Sequence, residues 1–472
     1  MLTAALAAIA IVSQDQTALR AAPRDSAPQQ TVLWQGDTLE VRGESLGFLQ
    51  VYDHRRERGG YVRASQVRLS NLQPTDAPQL MAVVHFLQDT PGQEALGMAY
   101  AAAYIKAAPA ADIGADVFDA LGTMADRLGR RASRKQAQAD DAAVAAHLDV
   151  VASLGINMVS VQQGERVQVC YDGDAFRRVM ALPASADQQA RAALALTRPE
   201  CIDPDLRPVD RYNLDSWRAA VLDKVDAGKL EDYQRNRIRL RQAGVWASLA
   251  YEHTRRGEPA QEAAERAINA LAGVNKVQLA EEDNAAYNEA AIRVGASRWA
   301  AAPAAVAGQR LTISISPGQP GETCVALRDA HKANARQPEP PLAQRCTYGL
   351  VWTGSASANV QGTALTLAVQ PLEGWRELWV FHQTVQGWVA DVLPPSSDNP
   401  ELGYLEFAGW VPGGRQMLAV SEVRVAGRSQ RKFQVLKLDT LAVQKQADRP
   451  EALSLFSRWQ DPLWKAQTVS VR

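Results

Sequence analysis

The sequence has little of what most catalytic or nucleic-acid-binding chains display. Its 472 residues include four cysteines, seven methionines and six histidines. The histidines, His54, His85, His147, His253, His331 and His382, are scattered, so they form no linear metal-binding cluster. No His-Glu-x-x-His helix, phosphate-cradling Gly-x-x-x-x-Gly-Lys loop or dinucleotide-type Gly-x-Gly-x-x-Gly turn occurs. Charge of one sign is also missing. With 51 Lys and Arg against 52 Asp and Glu, the chain has no cationic surplus to meet a phosphate backbone, which argues against a nucleic-acid partner. No metal or cofactor is expected. No transmembrane span is expected in the mature chain either, because no apolar run reaches the roughly 20 residues a bilayer requires. The apolar "GMAYAAAYIKAAPA" is broken by Lys106 and Pro109 and is alanine-rich, so it reads as a packed helix.

What is present begins with "MLTAALAAIAIVSQDQ". An apolar run from Leu2 to Val12, followed by small and polar residues, matches the hydrophobic region of a secretory signal, although no Lys or Arg precedes it. Residues 1–16 are therefore read as a signal-like segment, with a buried helix or strand as the alternative. The cysteines bear on the same question. Cys170 and Cys201 flank two helical patterns of similar length, the second opening on the capping-box spacing Ser185 to Gln188 and ending before Pro199. Such a helical hairpin returns its ends to one place. Cys324 and Cys346 bracket the polar "RDAHKANARQPEPPLAQR". The expected disulfides are Cys170–Cys201 and Cys324–Cys346, against four free thiols in a reducing compartment. Both signals point to export, hence a periplasmic or cell-envelope location.

The pattern then changes twice along the chain. Over residues 17–72, short strands alternate with turns: "TVLW", "TLEVRG", "FLQVYD" and "GGYVRASQVRL". The order "LRAAP", "GDTLEV", "GFLQV", "GYVRASQV" resembles a bacterial SH3-like (SH3b) domain, with Phe48 and Tyr61 where that family more often has tryptophan. The resemblance implies a small SH3-like β-barrel that binds peptides or proteins without catalysis. It makes Phe48, Tyr52, Tyr61 and Arg63 the candidate binding residues. The charged "DHRRER" (Asp53 to Arg58) is expected to be a hairpin tip.

Residues 77–302 carry helical periodicity, as in Ile113, Val117, Phe118, Leu121, Met124 and Leu128, and in Trp217, Val221 and Val225. The stretch from Trp246 to Leu271 is similar to a tetratricopeptide repeat through Trp246, Leu249, Ala250 and Gly257, with Ala263 and Ala270 one residue late. This region is read as one α-helical hairpin array, with an irregular bundle as the alternative.

Residues 308–472 return to strands. Two spans, Tyr348 to Pro395 and Tyr404 to Gln446, repeat one up-and-down plan, and "GWVPGGRQMLAV" resembles the hairpin of a β-propeller blade. Two blades cannot close a propeller, so the expectation is an antiparallel β domain with two blade-like repeats. Seven of the 11 tryptophans fall here, Trp352, Trp375, Trp379, Trp388, Trp410, Trp459 and Trp464, and their alternating placement assigns them to the core. The adjacent acids Asp172 and Asp174, and Glu281, Glu282 and Asp283, read as a helix cap and a solvated face.

The fold class expected is multidomain α and β. The function expected is that of a non-catalytic exported platform whose partner is an envelope protein or a peptidoglycan peptide. The rival is a cell-wall or glycan hydrolase with dispersed carboxylates, which a cluster of buried Asp or Glu with an open cleft beside Trp375 or Trp388 would favour.

Overall fold

The computed structural model describes residues 8–134, 138–301, 309–330, 340–396, 402–425 and 427–465. The chain is mixed α and β, with helices and several antiparallel sheets, and it divides into two compact units, Met1–Leu206 and Arg207–Arg472.

The N-terminal unit opens with strands β1 (Ile9–Val12), β2 (Thr17–Arg20), β3 (Gln29–Leu33), β4 (Thr38–Ser45), β5 (Phe48–Asp53), β6 (Arg58–Arg63) and β7 (Val67–Ser70). They form one sheet in the order β3-β2-β6-β5-β4-β1-β7. Of the signal-like segment 1–16, residues 1–7 lie outside the described residues, and the rest takes the buried-strand alternative. Ile9–Val12 is an internal strand, with Ile9 opposite Glu40 of β4 and Ser70 of β7. Its two faces enter two different cores: Ala10 and Val12 pack with Leu19, Leu33, Leu39 and Leu49, while Ile11 packs with the helices. A strand buried on both faces needs an unbroken apolar run, and that is the pattern a signal's hydrophobic region also shows.

The glycine pair of "GGYV" has a local explanation at Gly60. A Cβ there would lie 2.8 Å from Leu19 Cγ and 2.9 Å from the Arg20 carbonyl, so only glycine lets β6 pass this close to β2.

Helices α1 (Ala77–Gln88), α2 (Glu94–Ala107), α3 (Ala115–Ala132) and α4 (Gln138–Ser153) follow, then a hairpin β8 (Met158–Gln163) and β9 (Arg166–Tyr171), then α5 (Asp174–Ala181) and α6 (Ala186–Leu196). The α2 segment is the alanine-rich run, and no described helix is long and apolar enough to cross a membrane. Small side chains such as Ala95, Ala99 and Ala103 let it bury nearly all round. Within the core, Glu94 is fully buried against Arg127 and Arg131.

The expectation of a single helical domain over 77–302 also needs correction. The chain divides after Leu206, and the β8–β9 hairpin interrupts the helices. Val159, Val161, Val167 and Val169 alternate with polar residues there, a period of two that the surrounding helical periodicity concealed. Cys170 accordingly sits on β9 rather than at a helix start. The pairing holds nonetheless: Cys170 and Cys201 are joined, with Cα atoms 5.9 Å apart, across the α5–α6 hairpin. Ser185 caps α6 in a capping box with Gln188 as the spacing predicts.

Asp119 of α3 is buried beside Arg191 of α6. Burial pushes its carboxyl up to about 6 against the pull of Arg191. The folded form therefore holds this proton more tightly than the unfolded chain, whose value is near 3.8. The group's stabilising contribution is complete below pH 4 and is lost as pH rises through 6. Over that window the N-terminal unit should lose up to about 3 kcal/mol from this residue. Urea midpoints measured at pH 4 to 7 should show the decline in the native protein and a flatter profile in Asp119→Asn.

The C-terminal unit begins with α7 (Pro208–Asp223), α8 (Asp232–Arg255), α9 (Gln261–Ala272) and α10 (Asn284–Ser297). The repeat-like stretch lies on α8 and α9, whose turn uses Gly257 at φ +71°, and α8 starts well before Trp246. A three-stranded sheet follows: β10 (Leu311–Pro317), β11 (Thr323–Asp329) and β12 (Ala343–Thr347). Cys324 and Cys346 lie opposite each other on β11 and β12 and are joined. Residues 331–339 of the intervening polar loop lie outside the described residues.

The last sheet contains β13 (Leu350–Ala358), β14 (Ala364–Leu372), β15 (Trp375–Thr384), β16 (Gly387–Leu393), β17 (Leu402–Val411), β18 (Gln416–Val425), β19 (Arg428–Lys437) and β20 (Val443–Ala447). The two expected spans are two antiparallel meanders, β13 to β16 and β17 to β20. Parallel pairing of β15 with β17, Trp375 opposite Gly403, merges them into one sheet. Trp352, Trp375, Trp379 and Trp464 are buried, Trp388 and Trp410 half-buried, and Trp459 exposed. The core assignment therefore holds for most of them.

Candidate functional site

The four residues singled out by the SH3 resemblance lie on one side of the β5–β6 hairpin. Phe48 pairs with Arg63, Gln50 with Tyr61 and Tyr52 with Gly59. Leu49, Val51 and Val62, which alternate with them, point into the sheet's core. Phe48, Tyr52, Tyr61 and Arg63 thus share the opposite face.

Each aromatic on this face has polar company. The Arg63 guanidinium lies 5.1 Å from the ring centre of Phe48, which is only 4% exposed, while Arg63 Nε donates to Asp25 Oδ1 at 2.8 Å. The Arg42 guanidinium stacks 4.1 Å above Tyr52, and the His54 ring meets Tyr52 edge-on at 4.9 Å. Glu40 gathers both neighbours, with Arg42 Nε at 3.2 Å and His54 Nε2 at 2.6 Å. Hydrogen bonds from Arg42 first and His54 second hold the Glu40 carboxyl below its usual range. Tyr61 faces Arg20 of β2.

Sequence reasoning missed Glu40, Arg42, His54 and Asp25. Alternation along β4 marks Glu40 as outward-facing, and Arg42 sits at the register shift between Val41 and Gly43, beside the Glu40–Tyr52 pair. The "DHRRER" segment is the β5–β6 tip. Asp53 is buried there, accepts the backbone N–H groups of Arg55 and Arg56, and pairs with Arg56 at 2.6 Å.

On this face Tyr52 and Tyr61 are half-buried and Arg63 is exposed, while Phe48 is buried, and the guanidinium and carboxylate groups are paired with one another. The face holds no nucleophile set beside a base. The segment Gly43–Gly47 does have Gly-x-Ser-x-Gly spacing, but Ser45 is exposed at a β4–β5 hairpin turn, not at the strand-to-helix turn on which that motif's chemistry depends.

Carboxylates that bear on the rival reading lie in the C-terminal unit. Glu373, on the turn before Trp375, accepts from Ser248 Oγ and Arg293 Nη1 and stands 3.5 Å from Arg211. Burial would raise this carboxyl, but Arg293 and Arg211 outweigh it and hold it low. Asp215 pairs with Arg211 at 2.8 Å and Arg218 at 2.6 Å. Glu252 is pushed up by burial, with Glu373 adding to the rise. The adjacent acids behave as expected: Asp172 Oδ1 accepts the Asp174 N–H, and Asp283 and Glu282 pair with Arg237.

Among the described residues, one group could hold a metal ion, Glu322 with Cys324 and Cys346, in which the sulfurs are disulfide-bonded. The chain matches no protein-family model, no curated protein and no solved structure.

Proposed function

We propose that this protein is a non-catalytic, exported cell-envelope binding platform. In this reading its N-terminal sheet is an SH3-like recognition module, α8 and α9 are a tetratricopeptide-like hairpin, and the two meanders are blade-like repeats. The observation that supports it is the convergence of Phe48, Tyr52, Tyr61 and Arg63 on the outer face of β5 and β6, with Arg42, Glu40 and His54 around them. Two disulfides are compatible with an oxidising compartment. The partner class is an envelope protein or a peptidoglycan peptide, read by aromatic stacking and guanidinium donors.

The test is co-sedimentation with purified peptidoglycan beside a pull-down from envelope extract. Tyr61→Ala, Tyr52→Ala and Arg63→Ala should each weaken retention about tenfold, the loss of roughly 1.4 kcal/mol at an interface anchor. Circular dichroism should remain unchanged. Unaltered retention in all three would move recognition away from this face.

One observation favours a second reading as a glycan hydrolase: burial raises Glu252 while arginines lower Glu373, the asymmetry of an acid–base pair. Release of soluble fragments from peptidoglycan, abolished by Glu252→Gln, would replace the platform with that enzyme.

A further inference from the structure

The two disulfides differ in their surroundings. Cys170 is 3% exposed, and neither Cys170 nor Cys201 belongs to a group of potential ligands among the described residues. Cys324 and Cys346 are different. They face each other across β11 and β12, and a carboxylate oxygen of Glu322 and both Sγ atoms lie within 4.8 Å of one another.

Glu322 is held in place by the β10–β11 turn. Its carbonyl accepts the Gly318 N–H at 2.9 Å, its own N–H reaches the Gln319 carbonyl at 2.8 Å, and its Oε2 accepts the Gln319 N–H at 3.0 Å. Glu322 is also two residues before Cys324, at the position just ahead of β11. Cys346 is half-buried, so one sulfur of the pair is within reach of solvent.

The geometry points to a redox-gated metal site: once Cys324–Cys346 is reduced, the two thiolates and the Glu322 carboxylate bind one Zn2+, leaving a fourth position for water. As a disulfide the sulfurs are poor ligands and the site is closed. A dithiol reductant opens it. Its thiolate attacks Cys346 Sγ, the more exposed sulfur, and Cys324 leaves as a thiolate. The reductant's second thiol then displaces Cys346 and closes the reductant's own disulfide. Two electrons and two protons pass from reductant to protein. Zn2+ next replaces the two thiol protons, which are released.

The ligand types suit this ion. Tetrahedral Zn–S bonds of about 2.3 Å place two sulfurs roughly 3.8 Å apart, and soft thiolates select zinc over calcium or magnesium. The inference does not depend on what the β5–β6 face binds.

The full-length protein, reduced with a dithiol and freed of it without oxygen, should bind one equivalent of Zn2+ more than the oxidised protein and one more than reduced Cys324→Ser/Cys346→Ser. Co2+ in place of Zn2+ should give thiolate-to-metal charge-transfer absorption. Below the thiol range, affinity should rise by up to about 100-fold per pH unit, because two protons leave. Glu322→Gln should weaken binding at least tenfold while keeping the charge-transfer band. If the double serine variant fails to fold, the oxidised native protein remains the control. Equal binding by reduced and oxidised protein, a Co2+ complex without thiolate absorption, or no change in Glu322→Gln would each overturn the assignment.

Discussion

Protein lacking residues 1–12 is expected to lose the cooperative unfolding transition of its N-terminal unit. Strand β1 supplies the pairing between β4 and β7, and its side chains enter both cores of that unit. Burial of Ile11 and Val12 alone contributes roughly 3 to 6 kcal/mol. Whole domains are stable by about 5 to 15 kcal/mol, so the loss is comparable with the total. Proteolysis should reach the N-terminal unit of the truncated form under conditions where the full chain resists, and its near-UV circular dichroism should collapse. By the same argument, folded protein recovered from cells should retain residues 9–12 on N-terminal sequencing. A truncated form that unfolds at the same urea midpoint as the full chain would sink the two-core account of β1.

Glu406→Ala is expected to cost the C-terminal unit about 3 to 5 kcal/mol, the penalty for stranding buried charge. Glu406 is 1% exposed and carries the charge balance for two guanidinium groups: its Oε2 lies 2.9 Å from Arg376 Nη2 and 3.0 Å from Arg298 Nη2. Its Oε1 accepts Trp464 Nε1–H at 2.7 Å. Burial is severe enough to lower Arg376 to about 10, with Glu406 opposing the fall. The alanine therefore leaves Arg376 and Arg298 charged with no carboxylate between them. Glu406→Gln should lose less, because its amide oxygen still accepts from Trp464. Replacing Arg298, Arg376 and Glu406 together with apolar residues should recover most of the loss, since it is the unbalanced charge that is costly. Urea unfolding followed by near-UV circular dichroism would measure all three. An alanine variant within about 1 kcal/mol of the native protein would mean that the network contributes little.

Local signals were legible where one pattern implied one structure. The Ser185–Gln188 cap, the β4, β5 and β6 strands and the two meanders occur where their periodicity placed them, because capping geometry and half-buried strands write themselves into adjacent residues. The cysteine pairs were legible because each closes a short local segment. Ile9–Val12 was not, since an apolar run fits a signal, a helix or a doubly buried strand equally well. The valines of β8 and β9 were hidden between helices. On the β5–β6 face, the SH3 resemblance singled out Tyr52 and Arg63, but the neighbours Arg42 and His54 at Tyr52 and Asp25 at Arg63 come from other strands and turns.

The sequence by itself determined what depends on near neighbours: the strand and helix periods, the turn glycines, the cap of α6, the two disulfide partners and the balance of charge. Tertiary structure alone decided which apolar residues share a core, where the chain divides, and which charges are buried together. Arg376 and Glu406 stand 30 residues apart and Arg298 a further 78 before Arg376, and nothing in their local sequence marks them as one network. The physical reason is that pairing strength inside a protein depends on distance and on exclusion of water, and both are properties of the packed chain that no local spacing encodes.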